Sequence, residues 1–192
     1  FASGLEKASN SLVGNSAMLK KVYFPRLIVP ISGVMAGFVD FLLAFLVQIG
    51  LMITYSFQGF DFTPTLYLLY IPGLLLIAFT TALGVGLWLS AMNVQFRDVR
   101  YAVPFLVQMW FFLTPVIWGS AKLQEPWRTL CALNPMAGVV EGFRYALLAS
   151  ELGGKVAPPG IMIPISALVS VALLVSGAYY FARMERIFAD VV

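Results

Sequence analysis

Few residues in this chain are able to do chemistry. Its 192 residues include 12 Lys and Arg, 9 Asp and Glu, no His, and a single Cys, Cys131. Zinc and haem sites draw on His and Cys ligands, and one Cys with no His cannot supply them. An internal disulfide needs two cysteines. No glycine-rich run leads into Gly-Lys-Ser/Thr, and neither Gly-x-Ser-x-Gly nor His-Glu-x-x-His occurs. Asp40 stands alone in an apolar stretch, with no second acid to share a proton. A carboxylate at that depth of a membrane is costly and a functional candidate by default. The competing reading is a structural carboxyl, hydrogen-bonded to a neighbouring helix or protonated. An enzyme therefore lacks its nucleophile, its metal and its acid–base pair.

The remaining polar groups suggest positioning instead of catalysis. Arg97-Asp98-Val99-Arg100 reads as a charge-paired turn. Glu141 and Arg144 are three apart, so on a helix they can pair on the polar side. They are candidates for an external gate, but an exposed pair contributes only about 0–1 kcal/mol, and a solvated helix face would look the same. Gln108, Trp110, Phe111 and Phe112 are candidates for a translocation path, because aromatic rings can stack on sugar faces. Aromatic residues in membrane helices more often face lipid or packed neighbours.

Elements must exist to hold these groups, and composition names their solvent. The chain is 60% hydrophobic and 11% charged, with mean hydropathy +0.90. Soluble domains average about 45–50% apolar and about 25% charged, so a bilayer is the expected surrounding. The net charge of +3 is not gathered into the basic, polar surface that nucleic acid requires. Four apolar stretches read as spans, at residues 27–57, 66–92, 103–119 and 161–182, since about 20 apolar residues cross a bilayer. The third is short and contains Pro104 and Pro115. The chain opens on Phe1, which suggests a fragment lacking earlier spans, with residues 1–12 ending one of them.

Basic residues set the orientation. Lys20, Lys21 and Arg26 precede the first span, Arg97 and Arg100 follow the second, and Arg183 and Arg186 follow the fourth. Four crossings put these sites on one side, cytoplasmic by the positive-inside rule. Residues 13–26 read as a short amphipathic cytoplasmic helix. Met18, Leu19, Val22 and Tyr23 share one face, Lys20 and Lys21 fall off it, Asn15 is the expected N-cap and Pro25 the stop. Residues 120–160 form an external loop. Within it Asn134-Pro135 predicts a helix start, followed by an apolar stripe of Met136, Val139, Val140, Phe143 and Leu147. A helix over 135–150 would rise about 24 Å, short of a ~30 Å hydrocarbon core. With a second short helix over 126–133 it predicts a re-entrant or interfacial hairpin. Gly33-x-x-x-Gly37 and Ala82-x-x-x-Gly86 predict close helix approach.

Three blocks of residues resemble one family in their order and spacing. The first is Asn10-Ser-Leu-Val-Gly-Asn15 with Leu19-Lys-Lys-Val-Tyr-Phe-Pro-Arg26 and Pro30. The second is Asn93-Val-Gln-Phe-Arg-Asp-Val-Arg-Tyr101 with Pro104, Gln108, Trp110 and Thr114-Pro-Val116. The third is Asn134-Pro135 with Phe143-Arg144. Together they resemble the permeases of type 2 ABC exporters, above all those exporting O-antigen, capsule or teichoic-acid polysaccharides. The resemblance covers nearly the whole chain and corresponds to the family's last four spans plus the end of the second. It implies an all-α transmembrane domain with four spans, a cytoplasmic coupling helix and an external re-entrant hairpin. It further implies a homodimer in the cytoplasmic (inner) membrane, with its C-terminus cytoplasmic and a lipid-linked glycan as cargo. No cofactor would be bound by this chain, since ATP and Mg would sit on a separate ATP-binding cassette subunit. Met18 to Tyr23 and Arg26 would receive that subunit's motion. A drug or lipid exporter of the same fold is the nearest alternative, and a passive channel or membrane-embedded enzyme the more distant one.

Overall fold

The computed structural model describes residues 1–16, 25–57, 66–96, 98–117, 119, 123–124, 126–148 and 158–191. Residues 17–24 of the coupling helix expected over 13–26, together with Arg97, lie outside them. The described chain is helical: α1 Ala2–Gly14, α2 Ile28–Ser56, a 3₁₀ turn Leu66–Tyr70, α3 Ile71–Gln95, α4 Val99–Leu113, α5 Trp127–Cys131, α6 Pro135–Leu148 and α7 Met162–Val191. The expectation of an all-α membrane fold is met. Helices over Ile28–Ser56, Leu68–Gln95 and Met162–Glu185 are each long and apolar enough to cross a bilayer.

Local sequence explains where the helices stop. α1 closes on Asn15, whose Nδ2 and backbone N–H both donate to the Ser11 carbonyl, at 2.8 and 3.2 Å. Asn15 thus finishes this helix, with its side chain and its backbone sharing one carbonyl. α2 is launched by a turn in which Ile28 N–H donates to Pro25 O and Val29 N–H to Arg26 O. Pro30 falls in its first turn, where a missing N–H costs nothing. α4 begins at Val99, with the Asp98 carbonyl accepting from Tyr101 and Ala102. It ends at Leu113 after 15 residues, a rise of about 22 Å. The apolar stretch expected over 103–119 is therefore a helix displaced towards the N-terminus. Pro115 has no N–H to continue it, and Val116 N–H turns back to Thr114 O at 2.7 Å.

The chain divides into two compact units, residues 1–39, 79–111 and 170–192 in one, 40–78 and 112–169 in the other. In the first unit three clusters hold the helices. Leu5 packs with Val103 and Val107. Ala8 packs with Val34 and Ala82. Leu12 packs with Val29, Leu87, Ala91, Phe181 and Met184. Lipid tails are as apolar as these side chains, so close packing holds such helices together. The sequence provides it with glycine. A methyl on Gly33 would lie 2.7 Å from the Ala8 nitrogen, and one on Gly37 would overlap Gly4. α1 thus presents Gly4-x-x-x-Ala8 to the Gly33-x-x-x-Gly37 face of α2. A methyl on Gly84 would lie 2.6 Å from the Leu173 carbonyl carbon, so α3 and α7 also meet backbone to backbone.

The second unit is built around α6. Leu74, Ile77 and Val139 form its core, with Met136, Phe143, Ile163 and Ala167 against them. Phe143 meets Phe41 and Phe45 edge-on at 6.0 and 6.3 Å. Gly142 leaves room for Leu74, whose Cδ2 would be 2.5 Å from an added methyl.

Candidate functional site

The polar motifs meet in pairs, one pair within each unit. In the first, Asn93 near the end of α3 is 3% exposed. Its Nδ2 donates to Ser9 O at 2.9 Å and to Asn10 Oδ1 at 3.2 Å. Asn10 in turn donates to Glu6 O within its own helix. A buried amide needs such partners, because an unmet donor in an apolar interior costs about 1–3 kcal/mol. Arg26 Nη1 donates to the Glu185 carbonyl of α7 at 3.0 Å. The start of α2 is thereby tied to the far end of the last helix. Asp98 and Arg100 are exposed at the start of α4.

The translocation-path candidates separate by environment. Trp110 is half-buried and packs on Phe1, ring centroids 5.5 Å apart. Phe111 and Phe112 are 47% and 60% exposed, and Gln108 is exposed. Asp40 is exposed on α2.

In the second unit the Thr114-Pro-Val116 turn meets the hairpin of α5 and α6. Asn134 caps α6 through Oδ1, which accepts the Met136 N–H at 3.1 Å, while its Nδ2 donates to Thr114 Oγ1 at 3.0 Å. One turn of the chain is thus pinned by the cap of a helix. Arg144 donates from Nη1 to Glu141 Oε1 at 2.5 Å and from Nη2 to the carbonyls of Pro115 and Val116, both at 3.1 Å. Glu141 is 5% exposed. The pair expected on the polar side of its helix is therefore half-buried, and Arg144 ties it to the turn after α4. Guanidinium suits this place: two nitrogens in a rigid fork serve a carboxylate and two carbonyls at once.

The other end of the hairpin is tied to α7. Arg128 Nη2 donates to Pro158 O at 2.8 Å, and buried Ser166 Oγ donates to Ala132 O at 3.1 Å. Gly138 faces Ser166 so closely that any side chain there would collide with it. Sequence reasoning missed Ser166, Arg128 and Gly138. The only available signals were a serine and a glycine inside apolar helices, and neither names its partner. Among the described residues no group of His, Cys, Asp and Glu could hold a metal ion. Burial raises the Cys131 thiol pKa above its ordinary value.

The arrangement holds helix ends together through side-chain amides and guanidinium groups. Comparison with known proteins places the chain in a family. The family model described as ABC-2 type transporter matches residues 2–148. An O-antigen export system permease protein RfbA of Myxococcus xanthus is 29% identical over 192 residues, covering 99% of this chain and 70% of that protein. A protein of the same name from Klebsiella pneumoniae is 26% identical over 195 residues, covering 100% of this chain and 70% of its own length. With three-quarters of its length matched by that model, this multi-pass membrane chain belongs to the ABC-2 type transporter family.

Proposed function

We propose that this chain is the permease of an ATP-driven exporter that moves a lipid-linked polysaccharide out across the cytoplasmic membrane. The observation that carries the reading is its similarity, over essentially its whole length, to permeases named for O-antigen export. ATP and Mg are assigned to a separate ATP-binding cassette subunit, since the chain has no phosphate-binding loop. The permease works as a homodimer. Arg26, Arg100 and Arg183 all fall in the unit where Leu12, Val29, Ala91 and Met184 pack together. That grouping supports one basic, cytoplasmic face, with the C-terminus on it. Residues 18–23 are assigned the coupling role on sequence grounds.

Purification of the full-length membrane protein in detergent, with identification of its partners, tests the reading. An ATP-binding cassette protein in equal amount is expected. Intact permease dimers with no nucleotide-binding partner would shift the reading to a channel or an enzyme. The coupling role has its own test. Leu19→Asp or Tyr23→Asp should uncouple ATP hydrolysis from export, and normal partner binding with normal export in both would refute it. Comparing glycan-export with drug- or lipid-export assays in vesicles separates the cargo classes.

A further inference from the structure

We propose that the α5–α6 hairpin is a fixed strut that carries the end of α4, with Arg144 as its positioning residue, and does not swing as an independent flap. A flap needs a free body and a hinge. This hairpin is held along its whole length. Arg128 ties its beginning to Pro158. The Ala132 carbonyl at its bend accepts from Ser166. Asn134 donates to Thr114. Arg144 holds the carbonyls of Pro115 and Val116. These ties reach two separate parts of the chain, the turn after α4 and the start of α7. Moving the hairpin alone would break all of them, including both carbonyl bonds of the Arg144 guanidinium. Each stranded polar group costs about 1–3 kcal/mol, more if charged, so the hairpin and the turn move as one body.

Arg144 sets the geometry of that body. Glu141 holds one nitrogen of the guanidinium, which aims the other at the Pro115 and Val116 carbonyls of the turn after α4. Lysine carries its donors on a single nitrogen at the end of a flexible stem, so it lacks the rigid fork that reaches the carboxylate and the two carbonyls together. The inference rests on the exporter reading for its transport readout, but its geometry does not.

The test uses the intact transporter with Cys131→Ser as background. Thr114→Cys and Asn134→Cys are joined by a short thiol–thiol cross-linker in vesicles. A strut predicts export unchanged within about twofold after cross-linking. Export lost on cross-linking and regained on reduction would overturn it. Arg144→Lys and Arg144→Ala should each lower export per ATP hydrolysed by about tenfold, and full rescue by lysine would refute the positioning role. Spin labels at Ile117 and Leu133, exposed at 75% and 57%, give a readout free of cargo. Their separation should stay within about 2 Å with and without ATP, whereas a larger shift marks a moving element and overturns the proposal. Absence of any export by the unmodified transporter would count against the exporter reading alone, leaving the spin-label distance to judge the strut.

Discussion

The side-chain amide of Asn93 donates to both the backbone carbonyl of Ser9 and the side-chain oxygen of Asn10. Two of the blocks that mark the family thus touch through one buried group. Asn93→Ala should lower stability by about 1–3 kcal/mol, the cost of leaving a buried polar group unpaired. Asn93→Asp should be worse, since a carboxylate cannot donate to either oxygen. Asn10→Ala should be milder, because the bond to Ser9 survives. Thermal unfolding of the three variants in detergent gives the order, and a harmless Asn93→Asp would contradict it.

Glycine positions should divide sharply. Gly37→Ala places a methyl into Gly4 of the facing helix and should destabilise by about 1–3 kcal/mol, as overpacking does. Gly50→Ala and Gly73→Ala meet nothing within 4 Å and should be neutral or better, since Ala gains about 0.5–1 kcal/mol over Gly inside a helix. Yield of folded protein after detergent extraction separates the two classes.

Removing Glu141 should hurt more than its place on a helix surface suggests. Breaking a buried ion pair costs about 3–5 kcal/mol, and Glu141→Ala should approach the lower part of that range because Arg144 keeps 24% of its side chain exposed. Glu141→Gln keeps an acceptor oxygen and should lose less. In a double-mutant cycle with Arg144→Ala the effects should be strongly non-additive. Simple additivity would mean the pair carries no coupling.

Cys131 offers a chemical readout of its surroundings. Burial disfavours the thiolate and raises the thiol pKa. The thiolate is the reactive form, so alkylation at neutral pH should be slower than for a free cysteine, and its rate should climb at higher pH than the free thiol's. A rate profile matching free cysteine would contradict the burial. With impermeant reagents, labelling is expected only from the extracytoplasmic side, and labelling only from the cytoplasm would invert the topology.

The helical class and the membrane surroundings were legible because both follow from long, nearly uncharged apolar runs. The start of α6 was legible too, since the Asn134 cap and Pro135 act within one turn of chain. The Gly33 and Gly37 face could be read as a packing face, but its partner on α1 could not. Spacing within a helix reveals a smooth side, whereas which neighbour it meets is decided by the whole arrangement of helices. The burial of Glu141 was not legible for the same reason. Its pairing with Arg144 can be read within one helix, but the turn whose carbonyls Arg144 also holds lies nearly 30 positions before that arginine. The end of α4 differs from the expected 119 because hydropathy continues to Gly119 while the helix stops at Leu113, two residues before Pro115.

The two glycine contacts also imply an order of assembly during synthesis. Gly4 and Ala8 find Gly33 and Gly37 within about 30 residues of chain, so α1 and α2 can pair as soon as both have left the translocon. Gly84 must wait for Leu173 and Gly177, about 90 residues later. At bacterial or eukaryotic elongation rates of about 5–20 residues per second, that backbone groove on α3 faces lipid or a chaperone for several seconds. A nascent chain stalled before α7 emerges would carry this open groove, and membrane quality control could recognise it there.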